Sequence, residues 1–278
     1  MNRHLHAEGR GDGEPAAVFL HGLAASGRYW SGVAEGLAES DRHLQRVDLL
    51  GFGRSPWPEL AYTVNDHLAA LDDWRASAGL AGTPLVLVGH SLGALLALAW
   101  AGRAPLVRGV VLVGLPVYHD PAEARRRLAR LSLLHRLTLT ARPVGRAACA
   151  VMCQFRPLWR ALVPLVIRQF PPDVARDGVL HTWRSLSGTL EHCIFGTDFE
   201  RVRQQATGLP LLFVHGEADD TAPFATVREV AAGLPRARLL AVPDGGHDLP
   251  LSHPVPLADA INRFLGQLET VAVAGAAH

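Results

Sequence analysis

The feature that most constrains this chain is the segment Gly89–Gly93, which reads Gly-His-Ser-Leu-Gly. The apolar run Pro84–Val88 precedes it and is typical of a buried parallel strand. The segment Ala94–Ala101 follows it, contains no Gly or Pro, and is rich in helix formers. A chain that passes from strand to helix within one residue needs Gly-sized neighbours at the turn. The pattern therefore predicts a strained turn with Ser91 at its tip, at the carboxyl end of a sheet.

This predicted turn gives Ser91 the setting of a nucleophile. Its Oγ would be exposed at the sheet edge. The N–H of Leu92, at the start of the helix, would face the same space and stabilise an oxyanion. The simpler interpretation is a Gly-Ser-Gly turn before a helix, without a catalytic role. The strand–turn–helix context favours the nucleophile.

The rest of the chain alternates strand and helix patterns, which predicts a mostly parallel sheet covered on both faces. Thr63 and Asp66 form a predicted capping box at the start of one of these helices. Besides the strand before Ser91, the predicted strands are a short one at 4–8 and clearer ones at 16–20, 43–49, 109–113, 211–214 and 238–242.

The alternation stops between residues 116 and 207, where the pattern is helical and is interrupted by several prolines. We therefore expect a core domain made of residues 1–115 and 208–278. Residues 116–207 would form a helical insertion between two of its strands.

Composition limits the classes of protein to consider. The 27 Lys and Arg residues nearly balance the 26 Asp and Glu residues, so no nucleic-acid partner is expected. Every one of these basic residues is Arg, which excludes a catalytic lysine. Three cysteines do not make a disulfide framework, and their spacing does not fit a metal site, so we expect no metal. The sequence shows no secretory signal and no membrane span, so a reducing cytoplasm is the expected compartment.

Among the 14 histidines, His247 is the preferred general base for Ser91. It lies in a Pro-Asp-Gly-Gly-His turn directly after the last predicted strand, on the sheet edge where Ser91 is expected. A histidine that only belongs to the turn is the alternative. His90 would point away from the serine Oγ, and His21 is expected to hold its own loop through hydrogen bonds.

Asp219 is the preferred acid that would orient His247. It follows the predicted strand 211–214, at the edge where ligands bind in open α/β sheets. Asp120, which follows the strand 109–113, is a rival, and Asp220 is a candidate helix cap. The resulting chain order is serine, aspartate, histidine. The N–H of Leu23, on the loop after the strand 16–20, is the expected second oxyanion donor beside Leu92. One such donor stabilises a transition state by about 3–4 kcal/mol.

These motifs resemble those of the α/β-hydrolase superfamily, in the branch of small esterases, lipases and carbon–carbon bond hydrolases. The resemblance implies a Ser-His-Asp triad without a cofactor, and a helical cap at 116–207 over the pocket. It also implies a sheet of seven or eight strands, because the N-terminus is short for the usual first strand. Ser rather than Asp at position 91 is unlike the haloalkane dehalogenases and epoxide hydrolases. The matching segments are His21-Gly22, Asp48-x-x-Gly51-x-Gly53-x-Ser55, Gly89–Gly93, Gly216-x-x-Asp219-x-x-x-Pro223 and Gly246-His247.

The expected cap is unusually basic. Residues 121–172 contain ten Arg and one acid, Glu123. One interpretation is a solvated basic face whose apolar side covers the pocket. The other is peripheral contact with anionic lipid or a charged acyl carrier. The arginines named for that contact are Arg125, Arg126, Arg127 and Arg130.

Together these observations predict a monomeric or homodimeric serine hydrolase that cleaves a carboxylic ester with an apolar acyl group through an acyl-enzyme. A thioesterase and a carbon–carbon bond hydrolase remain open, because they use the same triad. A ligand receptor built on a hydrolase scaffold is the alternative from another class.

Overall fold

A sheet of seven strands forms the centre of the computed structural model, which describes residues 4–38, 42–131, 142–196, 198–205 and 208–276. The strand order is β1-β3-β2-β4-β5-β6-β7, and β1 is antiparallel to β3 while every other pair is parallel. The predicted α/β fold with a mostly parallel sheet is therefore confirmed. The strands are β1 Ala7–Arg10, β2 Ala16–Leu20, β3 Leu44–Val47, β4 Leu85–His90, β5 Val107–Val113, β6 Leu211–Gly216 and β7 Ala237–Val242.

Helices cover both faces of this sheet. One core cluster joins α2, α3 and α10 to side chains such as Leu87 and Leu112. The other cluster joins α1 and α12 to Val88 and Val111, which are adjacent in sequence to Leu87 and Leu112. Successive strand residues point to opposite faces of the sheet. The helices outside the 116–207 segment are α1 Ser31–Gly36, α2 Val64–Ser77, α3 Leu92–Ala101, α10 Phe224–Ala232, α11 Leu249–Ser252 and α12 Pro254–Ala276.

Local sequence signals set the helix boundaries. The predicted capping box is present at α2, where the Asp66 N–H donates to Thr63 Oγ1 at 3.1 Å and the Thr63 N–H donates to Asp66 Oδ2 at 2.9 Å. A short 3₁₀ turn, Gly27–Trp30, precedes α1, and Ser26 caps it through the N–H of Arg28. The capping box partners two backbone N–H groups at the start of α2, and Ser26 partners one at the start of the 3₁₀ turn.

The described elements between β5 and β6 are helical. No helix in the described ranges is long and apolar enough to cross a membrane. The inserted helices are α4 Pro121–Leu131, α5 Arg142–Gln154, α6 Arg156–Val166, α7 Pro172–Asp177, α8 Trp183–Thr189 with a wider turn at Leu190–Ile194, and α9 Phe199–Gln205.

Candidate active site

The turn between β4 and α3 holds Ser91 in a strained backbone conformation. Its φ is 53° and its ψ is −119°, a region that L-residues rarely adopt. A Cβ at Gly89 would collide with the backbone of Gly93, and a Cβ at Gly93 would collide with the carbonyl oxygen of Leu20. The Ser91 N–H donates to the Val113 carbonyl at 2.9 Å, which fixes the turn to β5. The two glycines are therefore required by close backbone approach.

Three side chains from three strand ends meet at this turn. His247 Nε2 lies 3.0 Å from Ser91 Oγ, and His247 Nδ1 lies 2.8 Å from Asp219 Oδ2. Because a carboxylate only accepts hydrogen bonds, Nδ1 carries the proton and donates it. Nε2 is then the acceptor that faces the serine hydroxyl. This is the geometry of an activated nucleophile, a base and a group that orients the base.

The Asp219 side chain is fully buried, whereas 17% of the His247 side chain is exposed. Burial by itself raises the pKa of Asp219. The hydrogen bond and charge of His247, with the N–H of Ala222, outweigh burial and hold the pKa below its usual value. The N–H groups of Thr221 and Ala222 donate to Asp219 Oδ1 at 2.9 and 2.8 Å. The carboxylate is therefore ionised and fixed in orientation.

A stack of rings lies behind His247, and the sequence did not predict it. Tyr29 stacks on His90 with ring centroids 4.9 Å apart, and the His90 and His247 centroids are also 4.9 Å apart. His90 Nε2 donates to the His247 carbonyl at 2.8 Å. Burial lowers the pKa of His90 to about 3, so its ring is neutral. The Tyr29 hydroxyl donates to Asp248 Oδ1 at 2.6 Å, and this hydrogen bond connects the ring stack to the residue that follows His247.

His215 is a second neighbour of Asp219, and the sequence analysis did not single it out. Its Nε2 lies 2.9 Å from the Ala222 carbonyl and 3.4 Å from Asp219 Oδ2. Burial lowers the pKa of this histidine, so its ring is neutral and its Nε2–H donates to the Ala222 carbonyl beside the carboxylate. Its position directly before Gly216 at the end of β6 was the available signal.

Both expected oxyanion donors lie beside Ser91. Leu92 is the first residue of α3, so its N–H has no partner within the helix. On the other side, a Cβ at Gly22 would lie 3.4 Å from Ser91 Cβ, so the turn that carries Leu23 lies next to Ser91. His21 holds this loop as predicted, because Nδ1 donates to the Gly22 carbonyl at 2.7 Å and Nε2 accepts from the Leu49 N–H at 2.9 Å.

Asp48, the first residue of the Asp-x-x-Gly-x-Gly-x-Ser motif, ties two loops together. It is buried, and Oδ1 accepts from the Gly27 N–H at 2.6 Å while Oδ2 accepts from the Arg54 N–H at 2.7 Å. A Cβ at Gly53 would collide with this carboxylate. The motif therefore supports the loop that carries Leu23.

Asp120, the rival acid, and Asp220, the candidate helix cap, were also considered from the sequence. Asp120 is exposed and caps α4, since its Oδ1 accepts from the Glu123 N–H at 2.7 Å. Asp220 does not cap α10, which begins after Pro223 without a side-chain cap. Of the carboxylates weighed from the sequence, the structure brings only Asp219 to His247.

A cavity of about 660 Å³ lies between α4, α9 and α10, and its lining does not include Ser91, Asp219 or His247. Val117, Tyr118, Phe195 and Phe199 contribute apolar surface, and Asp120, Asp198, Glu200 and Glu229 lie around it. Among the described residues, no three His, Cys, Asp or Glu side chains are grouped so that they could hold a metal ion.

The fold, together with the turn between β4 and α3, defines the class of protein. Residues 15–254 match the family model of the α/β-hydrolase fold, so the chain belongs to that family.

The chain is also similar in sequence to curated proteins and in structure to solved ones. The chain is 30% identical over 255 residues to the probable lysophospholipase BODYGUARD 1 of Arabidopsis thaliana, covering 83% of this chain and 54% of that protein. It therefore spans about half the length of that relative. It is 29% identical over 245 residues to the putative carbamate hydrolase RutD of Klebsiella pneumoniae, covering 84% and 85% of the two chains. The crystal structure of the enol-lactonase from Burkholderia xenovorans has the same fold, with a TM-score of 0.69, 22% identity and coverage of 94% and 96%.

Proposed function

We propose that this protein is a serine hydrolase that cleaves carboxylic esters with an apolar acyl group. The observation that carries the proposal is the chain of contacts from Ser91 Oγ to His247 Nε2, at 3.0 Å, and from His247 Nδ1 to Asp219, at 2.8 Å. A serine hydroxyl attacks a carbonyl efficiently only when a base in this position takes its proton.

In the proposed reaction Ser91 Oγ attacks the ester carbonyl carbon as His247 Nε2 takes the hydroxyl proton. The N–H groups of Leu23 and Leu92 stabilise the negative oxygen of the tetrahedral intermediate. The C–O bond to the alcohol breaks, and His247 returns the proton to the leaving alkoxide. His247 next takes a proton from water, whose oxygen attacks the acyl-enzyme carbonyl. The bond to Ser91 Oγ then breaks, His247 returns the proton to Oγ, and the carboxylic acid leaves.

The proposed substrate class draws on two further observations. Ala124, Ile194 and Phe195 of the insertion give the cavity apolar surface, which favours an apolar acyl group over a sugar or a peptide. The Arabidopsis relative is named a probable lysophospholipase. The three described cysteines are free thiols, which supports a reducing cytoplasm as the compartment of this reaction.

A fluorophosphonate probe tests the nucleophile. The probe should label the wild-type protein at Ser91 and fail to label Ser91→Ala. Ser252→Ala changes an exposed serine on α11 and is the matched control, which should be labelled fully. Labelling of Ser91→Ala at the same rate as the wild type would contradict the assignment.

A substrate panel tests the reaction class. We expect kcat/KM on p-nitrophenyl esters to rise from acetate to octanoate, by up to about fourfold for each CH₂ that becomes buried. A burst of nitrophenol would report the acyl-enzyme. Acyl-CoA thioesters and a vinylogous diketone form the parallel arms, and faster turnover of either would replace the ester assignment. Tight binding of esters without a burst would indicate a receptor.

A further inference from the structure

The loop that carries Leu23 is held by two buried carboxylates, and the insertion supplies one of them. Asp48 of the core domain accepts from the Gly27 N–H at 2.6 Å. Asp177 is the last residue of α7 in the insertion, and its Oδ2 accepts from the Ser26 hydroxyl at 2.8 Å. Ser26 and Asp177 are 151 positions apart in the chain, so this contact joins the insertion to the loop.

The Asp177 carboxylate is almost completely buried, since 2% of its side chain is exposed. Two arginines lie near it: Arg28 Nη1 is 3.7 Å from Oδ2, and Arg160 Nη2 is 3.8 Å from Oδ1. Both distances are longer than a hydrogen bond, whereas the Ser26 hydroxyl lies within hydrogen-bond distance. Because a buried carboxylate that loses a partner destabilises the fold, the positions of Ser26 and α7 are coupled.

The loop between Leu23 and Ser26 is strained. Ala24 has a φ of 52°, in the left-handed region that residues with a Cβ rarely adopt. Such a conformation persists only where the surrounding structure holds it. A Cβ at Gly178, the residue after Asp177, would lie 3.6 Å from the Ala24 carbonyl oxygen. The end of α7 therefore lies against the strained residue, and relaxation of Ala24 would move the adjoining Leu23.

Apolar packing between α7 and the loop adds to the polar contact. Val174 of α7 packs with Ala25 and Tyr29, and all three side chains are buried. The Tyr29 ring also stacks on His90, whose ring contacts that of His247. The same short helix therefore supports the loop of the expected oxyanion donor and the ring stack behind the base.

We propose that Asp177 is a positioning residue, which acts through Ser26 to keep the Leu23 N–H aimed at the oxygen of the tetrahedral intermediate. The inference rests on the proposed serine-hydrolase function. An oxyanion donor is effective only when it lies about 2.7–3.1 Å from that oxygen, so a small displacement of the loop weakens it. Stabilisation of the transition state thus depends on how the insertion packs on the core domain.

Steady-state kinetics on p-nitrophenyl butyrate test this role. Asp177→Ala should lower kcat by about tenfold to a hundredfold and change KM by less than about threefold, because a donor displaced by about 1 Å affects the transition state more than the bound substrate. Asp177→Asn keeps an oxygen that accepts from Ser26 and should retain most of the activity. Asp173→Ala, at a half-buried position on the same helix, is the matched control and should keep kcat within about twofold.

An alkyl trifluoromethyl ketone separates positioning from a general loss of stability. Ser91 Oγ adds to its carbonyl carbon, the serine proton passes to His247, and the carbonyl oxygen becomes an oxyanion that mimics the intermediate. Its Ki should rise in Asp177→Ala by about the factor by which kcat falls. The corresponding secondary alcohol cannot form this adduct, so its Ki should not change.

Ser26→Ala removes the other partner of the same hydrogen bond, and it is the variant to use if Asp177→Ala does not fold. Circular dichroism and urea unfolding report the folding of each variant. In a double-mutant cycle, Ser26→Ala/Asp177→Ala should lose less kcat than the product of the two single losses, because both changes remove one interaction. A double loss equal to that product would contradict the coupling.

Unchanged kcat and unchanged ketone Ki in folded Asp177→Ala would overturn the inference. A raised KM with an unchanged ketone Ki would also overturn it, and would assign Asp177 to substrate entry. Equal losses in Asp173→Ala and Asp177→Ala would do the same for the specific contact. Wild-type protein that gives no fluorophosphonate labelling and no burst would refute the proposed function. A labelled, active wild type with insensitive Asp177 variants would refute the positioning role alone.

Discussion

Replacement of Asp219 by Asn changes one atom of the site and has a consequence that the structure specifies. Asp219 Oδ1 accepts from the N–H groups of Thr221 and Ala222, and the amide oxygen of Asn can keep both bonds. The amide nitrogen then takes the place of Oδ2, 2.8 Å from His247 Nδ1. Because that nitrogen donates, Nδ1 must accept, and the imidazole proton moves to Nε2. The nitrogen that faces Ser91 can then no longer take its proton.

This wrong tautomer is expected to lower kcat by about ten-thousandfold, or about 5.5 kcal/mol, the size of the same change in serine proteases. The fold should remain, because both backbone hydrogen bonds to position 219 are kept. We expect the free energy of unfolding to fall by about 2 kcal/mol or less, for the loss of one charge-assisted hydrogen bond. Steady-state kinetics on p-nitrophenyl butyrate and urea unfolding measure the two quantities.

Asp120→Asn is the matched control, since it makes the same chemical change at the rival carboxylate. Asn caps a helix as well as Asp does, so α4 should keep its cap and the rate should stay within about twofold. A loss of less than about tenfold for folded Asp219→Asn would refute the argument from tautomers. A larger loss for Asp120→Asn than for Asp219→Asn would assign the acid to the end of β5 instead.

Three further predictions concern stability and the support of His247. Gly93→Ala would place a Cβ against a backbone carbonyl of β2 and should lower the free energy of unfolding by about 3 kcal/mol or more. Gly246→Ala, where a Cβ meets nothing within 4 Å, is the control, and equal loss in both would contradict the steric argument. Tyr29→Phe keeps the ring stack but removes the bond to Asp248, and should cost about 1.5–3 kcal/mol in urea unfolding. An unchanged unfolding midpoint would refute that contribution. Burial depresses the pKa of several histidines, three of them strongly, and the unfolded chain protonates these three below about pH 6.5 while the folded protein does not. Stability should therefore fall from pH 7 to 5 by up to about 1.4 kcal/mol per pH unit for each, and a constant or rising value would contradict it. These histidines and their pKa values are His67 at about 4, His90 at about 3 and His181 at about 4.

The sequence by itself was sufficient where the cause of a structure is local. Gly89 and Gly93 predicted the tight turn at Ser91, because a residue with a Cβ at either position would not let the strand and the helix approach so closely. Each strand of the sheet lies within a few residues of a predicted one, and the apolar runs at 16–20, 109–113 and 211–214 gave the clearest of these predictions. Thr63 and Asp66 predicted the start of α2, since both hydrogen bonds of the capping box lie within one turn of the chain.

The tertiary structure was needed where residues far apart in the chain meet. Asp120 and Asp219 both follow strands, and local pattern could not decide between them. Their positions differ because the β6 loop turns toward His247, whereas the β5 loop leads into a helix that Asp120 caps. Tyr29 and Asp248 are also far apart in the chain and come into contact only in the folded protein. No spacing in the sequence could therefore predict the ring stack behind His247.

The same limit applies to the basic insertion. Composition identified ten arginines in residues 121–172, but it could not show which of them are paired. Folding brings Glu191 to Arg125 from a distant part of the insertion, and it leaves apolar side chains of α5 and α6 exposed, among them Val151, Phe155 and Leu158. The sequence determined the fold, the elbow and the short list of site residues, because these follow from local sterics and periodicity. Which charges remain uncompensated and which apolar face stays exposed depend on long-range packing, and only the tertiary structure decided them.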